Sequence, residues 1–160
     1  MPKDSNIDFL LLVKEVFSSV FDDYGFALKN EVNWDGRGEN IITASKGDVD
    51  ISFYIGISPM FYYCSAAIKL SGETGEKATP HQKYRSISVS AIAKGRNPNY
   101  KRTPKGAQTK EEVKELLEFE KEDLIKYCKD ILLGDISFWA PIANQMATER
   151  DEKLKALNKH

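Results

Sequence analysis

The chain has 160 residues, 41% hydrophobic and 29% charged, with a formal net charge of −1. That is enough chain for one real core, and the near-zero net charge excludes a partner held by overall charge alone; an electrostatic contact needs a local patch. The first apolar run, Phe9–Val13, stops at Lys14, and no stretch approaches the roughly 20 apolar residues that span a bilayer, so neither a signal peptide nor a membrane partner is expected.

Only two cysteines occur, Cys64 and Cys128. A disulfide framework is not expected, and the expected compartment is a reducing cytoplasm. In chain order, Ser5 or Asn6 is placed to cap a first helix running to about Tyr24. Ile7, Leu10, Leu11, Phe17, Phe21 and Tyr24 recur along it at helical spacing, and Gly25 follows as a stop.

Strand signals come next. In the stretch from Phe26 to Trp34, Phe26, Leu28, Val32 and Trp34 alternate with polar Lys29, Glu31 and Asn33, the period of a strand. A glycine-rich loop, Asp35 to Asn40, leads into a second strand at Ile41–Ser45, and the Lys46-Gly47-Asp48 turn leads into a third. Val49, Ile51, Phe53, Ile55 and Ile57 form one row of the third strand, with Tyr54 in the opposite row. After Pro59, Tyr62, Cys64, Ala66, Ile68 and Leu70 form the inward row of a fourth, with Phe61, Tyr63 and Ser65 outward. A polar loop from Ser71 to His81 precedes a last strand with Ile87, Val89 and Ala91 inward and Ser86, Ser88 and Ser90 outward. Short connections favour antiparallel pairing.

From Thr109 the period becomes helical again. Thr109 and Glu112 form a capping box, Val113, Leu117, Leu124, Cys128 and Ile131 share one side, and Gly134 ends the helix. Asp135 or Ser137 is placed to cap a last helix carrying Phe138, Trp139, Ile142, Met146 and Leu154, fraying from about residue 150. The expected fold is one α+β domain over residues 1–160. It has an antiparallel meander of about five strands, an N-terminal helix and two C-terminal helices packed on one face.

Three surfaces are candidates for function. Tyr54, Phe61 and Tyr63 lie on the sheet face away from the helices, where aromatic rings either stabilise cross-strand pairs or form a partner surface. Trp34, Asp35 and Arg37 stand at a neighbouring loop tip. The segment from Lys94 to Lys110 carries Arg96, Tyr100, Lys101 and Arg102 and no acid. It reads either as a phosphate or nucleic-acid contact or as a solvated loop that balances the acidic helix after it.

Enzyme signatures are sparse. The run Ser71–Lys77 lacks the spacing of a phosphate-binding loop, and Asp48 with Asp50 is too little for a metal site. The two histidines, His81 and His160, cannot build a histidine zinc site, though His81 near Ser86 or Ser88 is the seed of a third reading, a small hydrolase. No cofactor and no metal are expected.

The layout and the pattern Leu124, Tyr127, Ile131, Leu132, Gly134, Asp135, Trp139 resemble small bacterial proteins, some of them cytoplasmic immunity proteins that neutralise a toxin by binding it. That resemblance covers about the last quarter of the chain and the general layout, and it carries over no active site. It implies a non-enzymatic protein-binding module whose partner is a toxin or effector.

Overall fold

The computed structural model describes residues 6–36, 38–58, 60–70, 86–102 and 105–158. The elements run α1 (Phe9–Tyr24), β1 (Ala27–Leu28), β2 (Asn33–Trp34), β3 (Glu39–Lys46), β4 (Val49–Ile57), β5 (Tyr62–Leu70), β6 (Ser86–Ser88), α2 (Val89–Arg96), α3 (Lys110–Leu132) and α4 (Trp139–Leu157). The expected α+β architecture is present. All described pairings are antiparallel, in the order β1-β3-β4-β5-β6, with β2 also paired to β3.

The buried stripe of α1 is Leu12, Val13, Val16, Phe17, Val20 and Phe21; of the expected stripe only Phe17 and Phe21 belong to it, while Leu11 is exposed and Ile7, Leu10 and Tyr24 are half-buried. Its cap is Asp8 rather than Ser5 or Asn6: the Asp8 carboxylate accepts from the Leu11 N–H at 3.0 Å. Aspartate directly before the first helical residue satisfies one of the free amides of the first turn. Gly25 closes the helix at φ 77°, donating its N–H to Phe21.

The expected strand from Phe26 to Trp34 is two short strands. Leu28 pairs with Ala44 and Asn33 with Ile41, so four residues, 29 to 32, stand opposite only two on β3. Lys29, Asn30 and Glu31 lie in that bulge, and they are poor strand formers. An even insertion keeps the face alternation in phase, which is why the period looked continuous.

The core rows are as expected. Val49, Ile51, Phe53 and Ile55 on β4 and Tyr62, Cys64, Ala66, Ile68 and Leu70 on β5 are buried, whereas Ile57, at the strand end, is exposed. The helices sit on this face: the Phe17 ring lies 4.5 Å from that of Phe53, Phe21 meets Phe53 edge-on at 6.1 Å, and Phe9 meets Tyr62 at 5.7 Å.

The last strand is shorter than its alternation suggests. It ends at Ser88, whose hydroxyl accepts from the Ala91 N–H at 3.2 Å and starts α2. Val89, Ile92 and Ala93 are buried at helical spacing and Ala91 only half-buried. Serine, alanine and isoleucine in alternation fit both periods, and the serine cap decides for the helix.

Thr109 caps α3 as expected, with its hydroxyl accepting from the Glu112 N–H at 3.2 Å. Before α4, Asp135 accepts from the Ser137 N–H at 3.0 Å, but the helix itself begins after Phe138 with no side-chain cap. It continues to Leu157 where fraying was expected from about residue 150, although residues 148–158 are all exposed. No helix of the described residues is long and apolar enough to cross a membrane.

Phe53 is central to this packing and fully buried. Phe53→Ala is expected to lower the unfolding free energy by about 3–5 kcal/mol, read from urea denaturation. A loss below ~1 kcal/mol would place this ring outside the core.

Candidate functional site

The register of the β4–β5 hairpin sorts the aromatic candidates. Ile41, Tyr54 and Ser65 stand in one row, and Glu39, Gly56 and Tyr63 in the next. Both rows belong to the face away from Phe53. The middle of that face is closed to solvent at Ser52 and Ala67, and Tyr54 is half-buried. Exposure opens toward the hairpin end, at Phe61 (41%) and Tyr63 (38%).

Those two rings are held by glycines. A Cβ placed on Gly56 would collide with the tip of the Tyr63 ring, its cross-strand partner, and one on Gly106 would lie 2.6 Å from the Phe61 ring. Each aromatic side chain therefore lies over a bare stretch of backbone, which fixes the ring while leaving its other side free. Burial raises the Tyr63 hydroxyl pKa, with Glu39 and Asp35 adding to the effect. Phe61, Tyr63, Ser65, Arg102, Lys105 and Gly106 line an open groove of about 350 Å³.

Trp34 does not join this surface. It pairs with Asn40, which pairs with Ile55, so its row is on the helix-covered face. It stands at the rim, 60% exposed. Asp35 organises the turn before β3: its N–H donates to the Glu39 carbonyl and its carboxylate accepts from the Glu39 N–H, at 3.1 and 3.0 Å. Arg37 and His81 lie outside the described residues.

The basic segment after α2 turns inward. Arg96 makes a two-pronged contact with Asp130, both prongs at 2.7 Å, and donates to the Tyr127 carbonyl at 2.8 Å. The Arg96 guanidinium holds the Asp130 carboxyl below its usual range. The Tyr100 hydroxyl donates to Asp123, and its ring meets Tyr127 edge-on at 5.5 Å. Burial and that bond raise the Tyr100 pKa. Lys105 is 3.7 Å from Glu115. Of the four residues read as a phosphate or nucleic-acid contact, Lys101 alone is exposed without an acid described beside it.

Arg102 goes deepest. It forms an ion pair with Glu120, which is 1% exposed, and donates to the Cys64 carbonyl at 2.9 Å. Glu120 also accepts from the Ala66 N–H. These contacts fall where β5 has no strand neighbour among the described residues: Tyr62 pairs with Ala107 on that side and Ala67 with Ser88, leaving residues 63–66 between. A side chain from the segment and one from α3 supply the bonds that a strand would have made.

Glu120 and Asp123 are what the sequence reading missed. Glu120 continues the stripe Val113, Leu117, Leu124 at helical spacing, so an acid at a core position was visible there. Burial drives the Glu120 carboxyl up to about 7 against the pull of Arg102 and the Ala66 N–H. The same desolvation lifts the thiols of Cys64 and Cys128 to about 12, which keeps both as protonated core residues at neutral pH. Among the described residues no group of three or more His, Cys, Asp or Glu is arranged to hold a metal ion.

No family model, curated protein or solved structure matches this chain.

The glycine beds carry a coupling test. Gly56→Ala is expected to cost about 1–2 kcal/mol by forcing the Tyr63 ring aside. In a Tyr63→Ala background the same change becomes neutral or slightly stabilising, because alanine orders a strand better than glycine. Urea titration of the four proteins measures this; additive effects would mean the ring does not rest on Gly56.

Proposed function

We propose that this protein is a non-enzymatic binding module for another protein, recognising it through the hairpin end of the outer sheet face. The carrying observation is the Phe61–Tyr63 pair. Each ring is fixed over a glycine yet keeps about two-fifths of its surface exposed. Large aromatic side chains that are already ordered lose little entropy on binding, and such residues commonly dominate protein interfaces.

The surroundings suit that role. Ser65, Lys105 and Arg102 border the rings on one side, and Glu39 and Asp35 are close enough on the other to act on the Tyr63 hydroxyl. A hydrophobic centre with a rim of both charges is the usual anatomy of a specific, reversible interface. The resemblance of the C-terminal pattern to immunity proteins supplies a concrete form: an inhibitor that neutralises a toxin or effector by covering the surface its target needs. In that form no bond is made or broken, and the rigid rings exclude the target's substrate.

The test needs the natural partner, captured by co-purification from the producing cells and identified by mass spectrometry. Phe61→Ala combined with Tyr63→Ala is expected to weaken its binding by at least about 2 kcal/mol, roughly 30-fold, in a calorimetric titration. Trp34→Ala, on the other face, is expected to leave the affinity unchanged. Unaltered affinity in the double variant, or a large loss from Trp34→Ala alone, would move the recognition surface elsewhere.

A further inference from the structure

The apolar surface at the hairpin end is not confined to the outer sheet face. Phe61 and Tyr63 lie on that face. Ile57 pairs with Tyr62 and shares the alternation of Phe53 and Ile55, so its side chain lies on the helix-covered face. It is nevertheless 44% exposed, and Met60, between the strands, is 69% exposed. Large apolar side chains thus emerge from both faces and from the tip of one hairpin.

The tip reaches past its neighbours and is ordered. Among the described residues, the main-chain bonds that tie the hairpin to adjoining segments end at Ile57, whose N–H donates to the Gly38 carbonyl, and at Tyr62, which exchanges bonds with Ala107. Ser58 locks the turn between them. Its N–H donates to the Phe61 carbonyl at 2.9 Å, and its hydroxyl accepts from the N–H groups of Met60 and Phe61 at 3.3 and 3.1 Å. An ordered projection of this kind loses little entropy on binding.

The charges around the tip are divided. On the β3 side, Glu39 stands in one row with Gly56 and Tyr63, and its N–H is bonded to Asp35. On the other side are Arg102 and Lys105. Arg102 is committed to Glu120, whereas Lys105 is 3.7 Å from Glu115 in a pair whose side chains are both largely exposed. Such a pair contributes little, so Lys105 can meet a new acid at small cost.

We propose that residues 57–63 form a wedge that enters an apolar cleft on the partner protein, with an acidic wall of that cleft facing Lys105. The wedge rests on the recognition reading and adds to it the shape and charge of the partner. A flat surface laid on Phe61 and Tyr63 cannot reach Ile57, because the sheet lies between; a partner that closes around the tip covers both faces. Trp34 shares the face of Ile57 but stands on β2, with β3 between, and lies outside the cleft. Asp35 and Glu39 argue against a lipid surface as the occupant, since anionic headgroups attract cations and repel carboxylates.

The test uses the full chain and the partner captured and identified as for the recognition surface. Methyl cross-saturation in the complex reads the contact without any substitution. The Ile57 and Met60 methyls are expected to lose intensity when the unlabelled partner is irradiated. In calorimetric titrations Ile57→Ser and Met60→Ser, singly, are each expected to weaken binding at least about tenfold, and Lys105→Glu by a similar factor. A silent Ile57 methyl and an unchanged affinity for Ile57→Ser, with Phe61→Ala plus Tyr63→Ala still weakening binding, mean that the partner lies flat on the outer face. The recognition reading then stands and the wedge is overturned. An unchanged affinity for Lys105→Glu overturns the acidic wall. If the Phe61 and Tyr63 double variant binds unchanged, both readings fall. Sedimentation of the protein alone with phosphatidylcholine–phosphatidylglycerol vesicles is not expected, and would overturn the wedge in favour of a lipid-seeking tip.

Discussion

The fold depends on how the edge of β5 is satisfied between Tyr62 and Ala67. Strand β6 is three residues long and Ala107 pairs with Tyr62, so among the described residues no strand lies beside the backbone of Cys64 and Ala66 on that edge. Buried amides and carbonyls without partners cost about as much as a lost hydrogen bond each. Arg102 and Glu120, paired with each other, fill that gap. Their pairing explains why an acid sits in the core stripe of α3, and why the segment after α2 folds back onto the sheet instead of extending into solvent. A buried pair of this kind stabilises little against an apolar alternative; what it contributes here is position, tying α3, β5 and residues 97–102 into one arrangement.

That arrangement also consumes the charge of the basic segment. Arg96 is clamped to Asp130, Tyr100 to Asp123 and Arg102 to Glu120. Acids spaced along α3 at 120, 123 and 130 lie where successive residues of the segment arrive. Read along the chain, a cationic loop followed by an acidic helix suggests two separate surfaces. Folded, they meet, and much of each charge block is spent on the other. The recognition surface we propose lies at the hairpin end, where the rings of Phe61 and Tyr63 rest against glycine backbones and stay partly exposed.

The pattern from Leu124 to Trp139 is made of packing residues. Leu124, Ile131, Leu132 and Trp139 are buried, Gly134 reverses the chain at φ 101°, and Asp135 holds the turn through Ser137. The pattern thus specifies how α3 hands over to α4. The recognition surface we propose lies on the other side of the sheet and is contributed by different residues.

Elements whose period persists over several turns or pleats are legible along the chain: α1 as a helix, though not its buried stripe, the β3–β4–β5 hairpins with their inward rows, and α3 with its Thr109 capping box. Burial on one face enforces these periods residue by residue, so they are legible without coordinates. The sequence did not separate β1 from β2, because an even-numbered bulge leaves the alternation in phase. It also did not show that Ser88 opens a helix, because a short run of small residues fits both periods and a single hydroxyl bond decides between them. The aromatic candidates Phe61 and Tyr63 were visible as an outward row. Their glycine beds were not, since Gly106 lies far along the chain from Phe61 and Gly56 meets Tyr63 only through strand register. Trp34 was expected at a loop tip neighbouring them, and register put it on the opposite face. The Arg102–Glu120 pair was half legible, as an acid in an apolar stripe. Its partner is set by the fold, because a contact between residues 18 positions apart depends on how the segment, the helix and the strand edge come together, and no local pattern encodes that meeting.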